Sequence, residues 1–169
     1  MFSDEYWMEQ ALALADKAAA EGEVPVGAIV VLDNEIIGEG FNSPISTCDP
    51  TAHAEIQAIR DACRKVNNYR LPKASLYVTL EPCSMCAGAI VHARIEKVIY
   101  AATEPKSGVV VSQNQFFEQD FLNHSVKVEA SVLGALASQK LSDFFQYRRN
   151  QKKKIRAASK LAQEQKKSS

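Results

Sequence analysis

The sequence predicts an α/β fold in which a mixed sheet is sandwiched by helices. Two observations carry this. Short β-branched apolar runs alternate with helical segments, and the order α-β-β-α-β-α-β-(α)-β-α opens on a hairpin before the alternation begins. A length of 169 residues without internal repeat suits one domain with a real core.

Each element has a local cause. Asp4 to Glu21 reads as an amphipathic helix, with Tyr6, Met8, Ala11, Leu12, Ala15 and Ala19 at helical spacing, Ser3 as N-cap and Gly22 as terminator. Val24 to Leu32 is a buried strand. Asp33-Asn34 turns the chain into a second strand, Glu35 to Phe41. Asn42 to Asp49 is a polar loop, and Asp49-Pro50 is placed to open a helix running to Val66, with Ile56, Ile59 and Cys63 inward. Ser75 to Thr79 is a strand, and Pro82 opens a helix to His92. Lys97 to Ala102 is a strand, residues 103–124 are irregular with a short helical piece, and Val126 to Ala130 is a last strand. A long helix starts at Gly134 and runs into a basic tail, where fraying is expected after Arg156 because Gln, Lys and Ser dominate.

Composition excludes several classes. The apolar fraction is 46%, and no apolar run approaches the ~20 residues a membrane span needs. The first sixteen residues carry Asp4, Glu5, Glu9 and Asp16 and lack the pattern of a secretion signal, so a cytoplasmic protein without membrane contact is expected. A disulfide framework is then not expected of Cys48, Cys63, Cys83 and Cys86. The zero net charge hides an asymmetry. From Arg148 onward stand nine basic residues and one acidic, against 11 basic and 19 acidic before it. A basic end on an acidic body fits a polyanionic partner, although charge alone slightly favours a solvated helix end.

Two segments carry chemistry: Thr51-Ala52-His53-Ala54-Glu55 and Glu81-Pro82-Cys83-Ser84-Met85-Cys86. Each sits at a predicted helix start. Cys83 and Cys86 are three apart, which puts both thiols on one side of a first turn, where the helix dipole favours thiolate. His53 and Glu55 are two apart and gather on either side of the same helix end. One imidazole and two thiolates leave a tetrahedral zinc with an open position, the arrangement of a catalytic site, and Glu55 is placed to move protons there. Either pair alone is weak evidence; together they are strong. Cys48, just before the predicted helix, is a conceivable fourth ligand that would close the site, and Cys63 reads as core.

H-x-E followed by P-C-x-x-C resembles the zinc-dependent nucleobase deaminases. Glu23 to Ala28, Gly38 to Asn42, Asp49 to Glu55, Tyr77 to Cys83, Cys86 to Ala89 and Leu141 to Phe145 are similar to the bacterial tRNA adenosine deaminases among them. The resemblance implies a three-layer α/β/α sandwich with a mixed five-stranded sheet, cytidine deaminase-like. A deaminase domain over 1–156, ending in a C-terminal helix, is expected, with 157–169 as a basic, frayed tail. The resemblance also implies one zinc per subunit, a homodimer, and conversion of the wobble adenosine of an arginine tRNA anticodon stem-loop to inosine. By resemblance Asn42 hydrogen-bonds the base, Pro25, Val26 and Ala54 line its pocket, and Phe144, Arg148 and Arg149 pack against the RNA loop. Read alone, Asn42 is a turn residue and Phe144 a core residue. Where the family carries Asp-Ala-Lys-Thr-Gly this chain has Glu104-Pro105-Lys106-Ser107-Gly108, so Glu104 takes the place expected to meet a flanking nucleotide. A free-base deaminase for guanine or cytosine shares the metal motif, and the basic C-terminal segment argues against it.

Overall fold

A computed structural model describes residues 1–167. The chain runs α1 (Asp4–Ala20), β1 (Gly27–Leu32), β2 (Glu35–Phe41), α2 (Pro44–Thr47), α3 (Ala54–Val66), β3 (Ser75–Leu80), α4 (Ser84–His92), β4 (Lys97–Ala102), a 3₁₀ turn (Phe116–Glu118), β5 (Lys127–Glu129) and α5 (Gly134–Lys167). The sheet order is β2-β1-β3-β4-β5. β1 is antiparallel to β2 and β3, whereas β3, β4 and β5 are parallel. The sheet is therefore mixed and five-stranded, as the sequence predicts.

Alternation along the strands builds two cores. Ala28, Val30, Leu76, Val78, Val98 and Tyr100 face α3 and α4. Ile29, Val31, Tyr77, Ile99 and Ala101 face α1 and the start of α5. Side chains on successive strand residues point to opposite faces, so strands buried on both sides read as continuous apolar runs. The result is an α/β/α sandwich. No helix among the described residues is long and apolar enough to cross a membrane.

Several boundaries differ from those expected, each for a local reason. Asp49-Pro50 does not open α3. Asp49 Oδ1 instead accepts from Thr51 N and Oγ1, closing a turn. The helix starts at Ala54 with His53 as N-cap, and a short α2 occupies the predicted loop. Likewise Cys83 is the N-cap of α4, one residue after Pro82. In α1 the inward aromatic is Trp7, and Tyr6 is exposed. The boundary expected at 156/157 falls inside α5, which is helical through Lys167.

Two glycines of β2 fix where α3 lies. A Cβ on Gly40 would meet Ala54 O at 2.3 Å, and one on Gly38 would meet Ala58 O at 2.3 Å. Only glycine allows the helix backbone to lie this close to the strand. The start of α3 is thereby held against the end of β2, beside Asn42.

Candidate metal and active site

The site forms where α3 and α4 begin. β3 delivers the chain to Glu81-Pro82-Cys83 at its C-terminal end, and α4 follows at once. His53 and Cys83 are both N-caps in extended conformation, and neither uses its side chain to cap its helix. Both are thus free to point at a shared centre. Cys86 arrives from the first turn of α4 and is fully buried.

His53 Nδ1 lies 3.6 Å from Cys83 Sγ and 3.6 Å from Cys86 Sγ. All three ligand atoms lie within 4.8 Å of one another. Zinc bonds of about 2.3 Å to sulfur and about 2.0–2.1 Å to nitrogen, at a tetrahedral angle, put N and S about 3.6 Å apart. The spacing therefore suits zinc without rearrangement. Among the described residues Cys48 is not part of this group. It is exposed, sits in the left-handed region at φ 51°, and its thiol turns to Ile45 O. The arrangement is a three-donor site.

The first part of the chain, residues 1–102, matches the model of the cytidine and deoxycytidylate deaminase zinc-binding region. The chain belongs to that family. The tRNA-specific adenosine deaminase of Haemophilus influenzae is 53% identical over 89% of this chain and 87% of its own length. A solved structure from studies of A-to-I editing by tRNA:A34 deaminases is 44% identical, covers 80% of this chain and 99% of its own, and superposes with a TM-score of 0.78. A guanine deaminase from Nitrosomonas europaea, 22% identical over 85% of each chain with a TM-score of 0.74, shares the fold. Zinc is the cofactor that both the family and the donor set support.

The electrostatics of this deaminase-family site follow from burial and short contacts. The hydrogen bond from the Cys86 thiol holds Cys83 down to about 4, and Cys86 itself is pushed up by that bond and by burial. Cys83 is thus the first of the pair to ionise. Its neighbour His53 is raised, chiefly by the hydrogen bond to Cys83. Glu55, in the first turn of α3, is only 4% exposed, and that burial pushes its carboxyl up to about 7.

Other expected residues divide into two groups. Asn42, Ala54 and Val26 come together at the centre: Ala54 N donates to Asn42 Oδ1 at 2.9 Å, and Asn42 N donates to Val26 O at 3.0 Å. Pro25, the next residue back, is buried. The second group is more peripheral. The Glu104 carboxylate accepts from Lys106 N, closing its own turn. Phe144 is buried on α5, with the Arg148 guanidinium 5.6 Å from its ring centroid and donating to Gly22 O. Arg149 is exposed and donates to Gln146 Oε1.

Two carboxylates escaped the sequence reading. Glu81 is 2% exposed and accepts from Glu104 N, Val111 N, Ser112 N and Ser112 Oγ. Burial pushes its carboxyl up, but those hydrogen bonds outweigh it and hold it below the usual range. It ties the 104–112 loop beneath Cys83. Glu23, 1% exposed, accepts from Ser46 N at 2.7 Å and anchors α2. The one local sign in the sequence was Glu81 standing between the apolar end of β3 and Pro82.

Proposed function

We propose that this chain deaminates adenosine to inosine at the wobble position of a tRNA, and that an arginine anticodon stem-loop is its substrate. The observation that carries this reading is the 3.6 Å spacing of His53 Nδ1 from both thiols, with Glu55 buried in the same first turn. The names carried by its relatives supply the base and the RNA.

In this reading His53, Cys83 and Cys86 hold one zinc per subunit, which when bound supplies a water acidified to a pKa of roughly 7. The Glu55 carboxylate takes one proton from water and gives it to N1 of adenine, then takes the second proton from the new C6 hydroxyl and hands it to the departing amine, so that adenosine and water yield inosine and ammonia. Burial raises the Glu55 carboxyl above its ordinary range, which favours a group that both accepts and releases protons. Asn42 orients the base against Pro25, Val26 and Ala54. Glu104 meets a flanking nucleotide, and Phe144, Arg148 and Arg149 receive the loop. Lifting the base out of a loop costs less than lifting it out of a duplex. The active unit is a homodimer that acts in the cytoplasm; its deaminase domain is 1–156, and the basic residues of 157–169 meet RNA.

The test is incubation with an arginine anticodon stem-loop and detection of inosine, with Glu55→Ala as control. Inosine from the parent alone supports the assignment. Ammonia from free guanine or cytosine, with none from the stem-loop, would replace it with the free-base reading.

A further inference from the structure

α5 does not end where the sandwich ends. From Arg149 to Lys167 it continues as helix for about 27 Å at 1.5 Å per residue. Beyond Gln151 every described residue is exposed. The helix turns charge scattered along the sequence into a surface with two sides. At about 100° per residue, Arg149, Lys152, Lys153, Arg156, Lys160 and Lys167 fall within an arc of roughly 100°. Ile155, Ala158, Leu161 and Ala162 occupy the opposite side, where Lys154 and, at its edge, Lys166 also stand, and Glu164 falls about 20° beyond the edge of the basic arc.

Orientation follows from how α5 is held. Phe144, Tyr147 and Ile155 face Ala19, Gly22 and Ile45 of the body across a cavity of about 490 Å³. Lys152, at one edge of the basic arc, also lines this cavity, as does Arg148, while the rest of the arc is turned away from the body. None of the ion pairs among the described residues uses the six cations of that arc. Lys140, earlier on α5, is by contrast paired with Asp16.

We infer that this arc is a second RNA-binding surface, a straight basic face for phosphates of the stem beyond the anticodon loop. The inference rests on the tRNA reading above and deepens it. Six cations outside every ion pair among the described residues, of which Arg149 alone donates to a neighbouring side chain, Gln146, match a polyanionic backbone along one side of the helix. Their span is longer than one flipped nucleotide, so the phosphates they meet lie outside the catalytic pocket. The face carries no base-reading geometry; it adds affinity and registers the stem.

The experiment measures binding of a fluorescent anticodon stem-loop to the full chain as a function of salt. Replacing Lys153, Arg156 and Lys160 together by Gln removes three cations from the face and keeps good helix formers. The slope of log affinity against log salt should fall by about 2, since each lost phosphate contact is worth about 0.7–0.9. Lys154→Gln, on the other side, should change it far less than Lys153→Gln. Adding Ala158→Lys, Leu161→Lys and Ala162→Lys to the triple variant restores net charge on the wrong side and should not restore the slope. A stem cut to three base pairs should erase the difference between parent and triple variant. The inference is overturned by an unchanged slope in the triple variant, by equal effects at Lys153 and Lys154, or by recovery through the displaced lysines. Inosine formation by the parent is scored separately. A parent that binds with a face-dependent slope and makes no inosine would sink the deaminase reading and leave the basic face standing.

Discussion

The backbone amide of Ala54 donates to Asn42 Oδ1 at 2.9 Å. This amide lies between His53 and Glu55, so Asn42 satisfies an orphan donor of α3 that the His53 side chain leaves uncapped. The Asn42 side-chain amide nitrogen, by contrast, has no hydrogen-bond partner among the described residues. The oxygen is structural, and the nitrogen is available to a base.

That division separates two variants. Asn42→Asp keeps the acceptor at a helix N-terminus, where negative charge is favourable, so thermal stability should stay close to the parent's. It loses the donor, and KM for the stem-loop should rise about tenfold, the factor for about 1.4 kcal/mol. Asn42→Ala should raise KM and also lose about 1 kcal/mol of stability. Asn42→Asp with the parent's KM would remove Asn42 from the base contacts.

Loss of any one donor should empty the site. His53→Ala, Cys83→Ala and Cys86→Ala leave two donors and should each purify with little zinc and no activity. Metal content by elemental analysis decides the point. Full occupancy in any of the three would contradict the ligand set.

Glu55→Gln should separate metal from turnover. The amide has nearly the carboxylate's shape, so zinc content and RNA affinity should match the parent's. Without a group to carry protons, kcat should fall at least ~10²–10⁴-fold. Single-turnover inosine formation reads this, and a loss of less than tenfold would exclude Glu55 as the proton carrier.

The donors and Glu55 were legible because metal chemistry demands particular residue types at short spacings. The helix starts that hold them were legible only to within a few residues. Asp49-Pro50 has the composition of a helix start, but its Asx turn uses the side chain on Thr51, and the true cap of α3 comes from Asn42, twelve residues before Ala54. A cap supplied from outside the helix leaves no local trace. Glu81 and Glu23 were hidden for a related reason. Their partners, the amides at 104 and 111–112 and at 46, are distant in sequence. The two-sided charge pattern of α5 emerges only once its helix is known to continue through Lys167.

Gly40→Ala tests whether the β2–α3 approach positions the metal site. The added Cβ would lie 2.3 Å from Ala54 O and 2.5 Å from Ala58 N, both backbone atoms of α3, so the helix must shift away from the strand. Overpacking of this kind costs about 1–3 kcal/mol. His53 stands at the first position before that helix, so zinc affinity should weaken alongside the denaturation midpoint. A variant destabilised as expected but with the parent's zinc affinity would show that the site tolerates displacement of α3.

The alkaline limit of stability should depend on a cluster that ties the start of α1 to the sheet. Tyr77 Oη donates to Asp4 Oδ1 at 2.5 Å, and Lys97 Nζ pairs with Glu129 at 2.5 Å and with Asp4 at 3.4 Å. Burial and then Asp4 raise the Tyr77 hydroxyl well above its ordinary 10.0, and Glu129 is the main cause raising Lys97 above 10.5. Both groups hold their protons more tightly when folded than when unfolded. Their contribution is therefore complete below about pH 10 and is lost as pH climbs past the unfolded values toward the folded ones. Denaturant midpoints measured from pH 8 to 11.5 should fall at the upper end for the parent. Tyr77→Phe and Lys97→Met should each start lower and fall less steeply. A parallel decline in all three proteins would assign the alkaline loss to other groups.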